Sequence, residues 1–184
     1  MTSSSPPRRT GLTLVFTGNG KGKTTAAVGL AVRAAGNRMR VFFLQFIKGQ
    51  WKSGEREVLR GLPSIDLEVT GRGFTIERLR NPNIPLEDHA AAAGRGWQVA
   101  QQIVREGEYD VVVLDEVLGA VKAGLVPLDE LVELVRSKPS AVHLVLTGRN
   151  APPELVELAD LVSEIQPIKH PLQKGVKAQR GIEF

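Results

Sequence analysis

Apolar residues in this chain fall into short runs, most of which lack regular alternation with polar residues. Six such runs occupy residues 12–17, 40–46, 65–70, 110–115, 141–147 and 161–165. Runs of this kind are typical of strands that are covered on both faces, as in a parallel sheet. The pattern therefore predicts about six β-strands at the centre of the fold.

Helical segments lie between these runs, and their ends carry the residues expected at helix boundaries. The predicted helices span residues 23–36, 85–107, 127–137 and 152–160. Gly36 and Gly107 stand at the ends of the first two, and a proline begins each of the last three. Strands that alternate with helices predict an α/β fold, a mostly parallel sheet with helices on both faces.

Three parts of the chain fit neither pattern. Residues 1–10, MTSSSPPRRT, are polar, and we expect a disordered N-terminal arm there, followed by a single domain over 11–184. Residues 47–64 and 71–84 show no regular periodicity. Long irregular stretches inside a domain of this kind are usually functional.

The composition narrows the class of protein. The chain has 184 residues and no cysteine, which excludes disulfides, thiolate metal sites and a cysteine nucleophile. Its net charge of +4 is compatible with an anionic ligand and too small to indicate nucleic acid. No apolar run has the length of a membrane span or of a signal-peptide core. We expect a cytoplasmic protein with no membrane or nucleic-acid partner.

The segment TGNGKGKTT, residues 17–25, has the features of a phosphate-binding loop. Gly22, Lys23 and Thr24 match the end of the G-x-x-x-x-G-K-[ST] pattern, whereas its first glycine is replaced by Thr17. An apolar run precedes the loop and a predicted helix follows it. Glycine-rich backbone and a helix N-terminus bind phosphate, the lysine adds positive charge, and a threonine hydroxyl can bind Mg²⁺.

Asp115 and Glu116 end the apolar run of residues 110–115. Carboxylates at such a strand end hold Mg²⁺, directly or through water, in proteins with a phosphate loop. The alternative is that the two acids only cap the helix that follows.

Groups that could activate a nucleophile are sparse. Gln45 could position a water and Arg149 could act as an arginine finger. We expect His143 to be part of the core or paired, His89 to be on the surface, and Trp97 to pack a helix against the core. A site with few bases suits a reaction whose nucleophile arrives already activated.

Several segments, taken together, resemble one family. They are FTGNGKGKTTAA (16–27), QFIKGQWKSGE (45–55), GRGFT (71–75), VVLDE (112–116), LTGRNAP (146–152) and IKHPLQKGVKAQRGIEF (168–184). The chain after residue 10 resembles the P-loop type of ATP:corrinoid adenosyltransferase. The resemblance implies a three-layer RecA-like P-loop fold and a homodimer. It also implies transfer of the 5′-deoxyadenosyl group of ATP to Co(I) of a reduced corrinoid, with release of triphosphate, in adenosylcobalamin synthesis or salvage.

The resemblance also assigns roles to residues. The ATP-binding residues would be Gly18, Asn19, Gly20, Lys21, Gly22, Lys23, Thr24 and Thr25. Mg²⁺ would be held by Thr24, Glu116 and Asp115, and Phe74 would face the corrinoid. Lys21 and Lys23 would be catalytic on physical grounds, because their charges would stabilise the leaving triphosphate. ATP and the reduced corrinoid would be the substrates, and a flavin-type reductase is compatible as electron donor. ATP would lie reversed relative to P-loop hydrolases, and the shifted glycines could reflect that pose.

The chain departs from the family pattern at Ile76, where a tryptophan is expected, and in the segment ERLRNPNIP that follows it. Two other functions remain open on the residues alone. One is a P-loop ATPase or kinase acting on a small acceptor. The other is a nucleotide-dependent regulatory module without turnover.

Overall fold

The computed structural model of this protein describes residues 10–47, 49, 53–71, 73 and 85–183, with only the backbone of Leu86. Within these residues the strands are β1 Thr13–Thr17, β2 Val41–Gln45, β3 Ile65–Val69, β4 Val111–Asp115, β5 His143–Thr147 and β6 Leu161–Glu164. The helices are α1 Lys23–Gly36, α2 Gly54–Arg60, α3 Leu86–Glu106, α4 Val117–Lys122, α5 Leu128–Ser137 and α6 Pro153–Leu158. A 3₁₀ turn covers Pro171–Lys174. The arm predicted over residues 1–10 falls, except for Thr10, outside the described residues.

All strand pairs in the sheet are parallel, and the strands lie in the order β3-β2-β4-β5-β1-β6. The predicted α/β fold with a parallel sheet is confirmed. Strands β1, β2, β4 and β5 are buried or nearly so along their length. The prediction of two-sided burial is wrong for β6, whose residues are all exposed, because it forms the edge beside β1.

Helices cover both faces of the sheet, which gives three layers. Alternate residues of β2 show the division: Phe42 and Leu44 pack with α3, α4, α5 and α6, whereas Val41 and Phe43 pack with α1 and α2. In the inner strands successive apolar residues therefore enter the two cores in turn, and burial of both faces removes the polar alternation. The three-layer arrangement predicted through the family resemblance is present.

Helix α2, Gly54–Arg60, lies inside the stretch 47–64 for which no regular element is predicted. Arg56 and Leu59 are its buried residues, so the helix has no apolar stripe to reveal it. Its charges favour a helix nevertheless. Glu55 and Glu57 lie in the first turn and Arg60 in the last, which complements the helix dipole.

The carboxyl ends of the parallel strands meet at one edge of the sheet, and this edge carries the candidate site. Gln45 ends β2, Asp115 ends β4, Thr147 ends β5 and Thr17 ends β1. Ligands of open α/β sheets bind outside this edge. Across the described segments, every helix is too short or too polar to span a bilayer.

Candidate functional site

The loop between β1 and α1 adopts a shape that only glycine tolerates at two positions. Gly18 has φ +98° and Gly22 has φ +129°. A Cβ atom on Gly18 would lie 2.4 Å from the carbonyl oxygen of Ile165. The N–H of Gly20 donates to the same oxygen over 2.7 Å. The glycines at 18 and 20 thus let the loop lie against the chain that leaves β6, which gives their spacing a packing reason.

Lys23 begins α1 and folds back into the loop. Its Nζ donates to the carbonyl oxygens of Gly18 and Gly20, each over 2.8 Å. Lys23 is only 6% exposed. Lys23 therefore holds the loop in shape as well as placing a positive charge beneath it.

Asp115 is fully buried and accepts hydrogen bonds from three side chains. Thr24 Oγ1 and Thr147 Oγ1 donate to Oδ1 over 2.9 and 2.7 Å, and Gln45 Nε2 donates to Oδ2 over 3.1 Å. The carboxylate thus lies behind Thr24 and ties the first turn of α1 to the ends of three strands.

Gln45 continues this network to helix α2. Its Oε1 accepts from Arg56 Nε over 2.6 Å, and Arg56 Nη1 donates to the Gly49 carbonyl over 2.8 Å. Burial lowers the pKa of the Arg56 guanidinium, while the negative charges of Glu55 and Asp115 oppose that change. Gln45 is fully buried with both ends of its amide bound, so the interpretation that it positions a water is wrong.

Glu116 lies at the junction between β4 and α4, in the left-handed region with φ +62°. Its N–H donates to Thr147 Oγ1 over 2.8 Å. Its side chain makes no capping hydrogen bond to α4, so the capping alternative is wrong for this residue. Glu116 instead borders the cleft described next.

A cleft of about 740 Å³ opens beside the phosphate loop. This volume is in the range of small-molecule sites, about 300–1,000 Å³. One wall consists of residues 19–25 with Val28, Gly54, Glu55, Glu116 and Arg149. The other consists of the tail, which we define as residues 166–183, through Pro167, His170, Leu172, Gly181, Ile182 and Glu183.

The tail touches the loop through charge. Lys21 Nζ and Glu183 Oε2 form an ion pair at 3.0 Å, although the two residues are far apart in sequence. Leu172 and Ile182 are each 67% exposed where they border the cleft. The tail contains all but the last residue of the segment IKHPLQKGVKAQRGIEF, which contributes to the family resemblance, but no site residue is predicted in it.

The cleft fits a magnesium ion bound together with phosphates. Mg²⁺ prefers oxygen ligands and usually takes only one or two from protein, with substrate phosphates and water completing its shell. Thr24 and Glu116 supply such oxygens beside the loop lysines. Within the described ranges no three His, Asp or Glu side chains come close enough to hold a metal alone.

The structure brings the predicted ATP-binding residues 19–25 together on the cleft, with Gly18 supporting the loop from behind. Arg149 also lines it. Phe74, the predicted corrinoid contact, and Ile76 lie outside the described residues.

The other predicted side chains have mixed outcomes. His89 is 3% exposed, so its predicted surface position is wrong, because α3 packs it inward. Trp97 is buried against the core as predicted, and its indole N–H donates to Glu130. His143 is paired as predicted, since its Nδ1 accepts from the Leu12 N–H over 3.1 Å.

Sequence reasoning missed Arg56, Thr147 and the tail as parts of this region. Arg56 follows Glu55 in QFIKGQWKSGE, and Thr147 lies in LTGRNAP, so both lie in or beside segments that carry the family resemblance. A polar residue at the end of a buried apolar strand is the signal that identifies Thr147.

Comparison with known proteins finds one family that this chain matches. A family model described as ATP:corrinoid adenosyltransferase BtuR/CobO/CobP matches residues 9–184. A corrinoid adenosyltransferase of Escherichia coli K12 is 41% identical over 95% of this chain and 86% of its own length. One from Salmonella typhimurium is 40% identical over 95% and 86%. One from Pseudomonas aeruginosa is 39% identical over 95% and 84%.

Proposed function

Because the chain belongs to the ATP:corrinoid adenosyltransferase family, we propose that its cleft transfers the 5′-deoxyadenosyl group of ATP to the Co(I) of a reduced corrinoid. The observation that carries this proposal is the wall formed by Lys21, Lys23, Thr24 and Glu116 beside one cleft. That wall suits a triphosphate with a divalent cation.

The reaction needs a leaving-group site more than a base. The electron pair of Co(I) forms the new cobalt–carbon bond at C5′ of the ribose. The bond between C5′ and the α-phosphate oxygen breaks, and its electrons remain on the released triphosphate. Negative charge therefore grows on the phosphate that the loop binds.

The loop stabilises this charge with groups that are already oriented. Lys21, Lys23 and the first turn of α1 border the same cleft, and the unpaired N–H groups of a helix N-terminus favour an anion there. Preorganised donors of this kind usually contribute the largest part of an enzyme's rate enhancement. Bonds from Lys23 to two loop carbonyls keep its ammonium in place before the nucleotide binds.

Mg²⁺ is the cofactor that we propose for this site. Thr24 and Glu116 would hold it together with phosphate oxygens, and the ion would neutralise charge on the leaving triphosphate. Asp115 lies one hydrogen bond behind Thr24, so its role would be to orient that hydroxyl.

Other parts of the proposal follow the family resemblance. Phe74 would face the lower side of the corrinoid, the working form would be a homodimer, and a flavin-type reductase would supply the electron. The absence of cysteine fits work in the reducing cytoplasm.

The test is to identify the phosphate product. The protein is incubated anaerobically with Mg-ATP, with and without chemically reduced cobalamin, and phosphates are resolved by ³¹P NMR. We expect intact triphosphate in equal amount with a light-sensitive adenosylated corrinoid. Rapid ADP formation without corrinoid would instead favour an ATPase, and tight ATP binding without any product would favour a regulatory module.

A further inference from the structure

Arg56 lies at the far end of the buried network that begins at Thr24. Arg56 is 6% exposed and lies on α2, which is part of neither the phosphate loop nor the sheet. Its Nε donates to Gln45 Oε1, Gln45 Nε2 donates to Asp115 Oδ2, and Asp115 Oδ1 accepts from Thr24. Three hydrogen bonds thus connect Arg56 with the threonine of the loop.

Arg56 is one of two residues that fix the direction of these bonds. A guanidinium can only donate, so the amide of Gln45 must turn its oxygen toward Arg56 and its NH₂ toward Asp115. An amide turned the other way would present its oxygen to the carboxylate. Asp115 can only accept, so Arg56 and Asp115 require the same orientation of the Gln45 amide, and Arg56 places a positive charge near this fully buried carboxylate.

We propose that Arg56 is a positioning residue for the Thr24 hydroxyl, acting through Gln45 and Asp115 on the binding of metal-complexed triphosphate. This inference rests on the proposed function for the identity of the ligand. Residues that orient metal-binding groups from behind typically change metal affinity or activity by about 10–100-fold when they are removed.

A purely structural role is the competing explanation. Arg56 Nη1 also bonds to the carbonyl of Gly49, so the residue could simply hold the chain before α2 in place. The two roles differ in what they affect. Positioning of Thr24 should matter only when the metal is present, whereas loss of local structure should weaken nucleotide binding with or without metal.

The test measures ATP affinity by calorimetry in Mg²⁺ and in EDTA for the full chain and for Arg56→Met. We expect the gain in affinity due to Mg²⁺ to fall by about tenfold or more, and affinity in EDTA to change less than about twofold. Arg60→Met is the matched control, since Arg60 is exposed on the same helix, and it should resemble the unmodified chain. Equal losses in Mg²⁺ and EDTA, or no loss, would overturn the proposal.

A second variant covers the case in which Arg56→Met does not fold. Gln45→Met keeps the side-chain volume and the Arg56 bond to Gly49, and it removes the connection to Asp115. We expect the same selective loss of the Mg²⁺-dependent gain. An unchanged gain in this variant would exclude action through Gln45.

A double-mutant cycle tests the path itself. Thr24→Val removes the hydroxyl at the other end of the network, so adding Arg56→Met should lower the remaining Mg²⁺-dependent gain by less than about twofold. Fully additive losses would mean that Arg56 acts independently of Thr24. These binding measurements need no corrinoid. The double-mutant cycle could therefore show that Arg56 acts through Thr24 even if the protein transfers no adenosyl group. That combination of results would count against the proposed reaction but not against the role of Arg56.

Discussion

The two walls of the cleft are built in different ways. The loop wall, residues 18–25 with Asp115 behind them, is held by buried hydrogen bonds from three strands and by Lys23 within the loop. The tail wall, residues 166–183, is exposed apart from His170 and Glu183, which are half-buried. Among the described residues, the pair between Lys21 and Glu183 is a side-chain bond that joins the tail to the loop.

This difference separates two tasks. Groups that stabilise charge in a transition state act best when their positions are set in advance, and the loop wall meets that condition. Segments with little burial open at low free-energy cost, and the tail wall has that character. We infer that the loop wall performs the chemistry while the tail wall can adjust when a nucleotide enters.

Lys23→Ala, in the loop wall, has the largest expected effect on activity. We expect adenosyl transfer to fall by roughly 10²–10³-fold, the usual cost of removing one preorganised donor. Loss of two hydrogen bonds from a charged group should also lower stability by about 1.5–3 kcal/mol or more. Transfer is measured by the absorbance of the adenosylated corrinoid, and stability by thermal melting. Lys122→Ala, at an exposed lysine, is the control, and transfer near the unmodified rate in Lys23→Ala would contradict the role of this lysine.

Gly18→Ala tests whether the loop wall can accept a side chain at position 18. The new Cβ would lie 2.4 Å from the Ile165 oxygen at a φ of +98°, so the backbone must move. Strain of this kind costs about 1–3 kcal/mol, and we expect a lower melting temperature with weaker ATP binding. Gly29→Ala is the control, because a Cβ there meets no atom within 4 Å. In helix α1 that change should raise stability by about 0.5–1 kcal/mol. Equal melting of the two variants would contradict the packing reason for Gly18.

Thr147→Val removes one hydroxyl from the network behind the loop while preserving shape. Thr147 donates to Asp115 and accepts from the N–H of Glu116, so both partners lose a bond. We expect a loss of about 1–3 kcal/mol in the free energy of unfolding, measured in urea. A loss below about 0.5 kcal/mol would mean that water replaces the hydroxyl and that the wall is less closed than its burial indicates.

Glu183→Gln addresses the tail wall and has the smallest expected effect. The carboxylate of Glu183 competes with phosphate for Lys21, but both groups are partly exposed and such pairs contribute only about 0.2–1 kcal/mol. We expect ATP to bind about two- to fivefold more tightly at low salt, with the difference vanishing at high salt. Glu157→Gln, at an exposed glutamate of α6, is the control. Weaker ATP binding in Glu183→Gln would show that the tail attracts the nucleotide complex.

The sequence predicted the family, the α/β class and the activity, and these predictions are confirmed. Most predicted strands and helices are present with small differences at their ends. Helix α2 was missed because seven largely charged residues carry no periodic apolar signal. The burial of His89 was missed because local position near a helix start does not reveal what packs over it.

The sequence by itself determined the phosphate loop, because glycine freedom, a lysine and a helix start all act within residues 17–25. It also determined which runs enter the core, since apolar burial depends on each residue's own side chain. The tertiary structure alone decided the strand order, which brings Asp115, Thr147 and Gln45 behind Thr24. It also decided that Glu183 reaches Lys21 across 162 positions. Such contacts depend on the packing of the whole chain, because a local sequence pattern does not specify which distant residue will lie beside it.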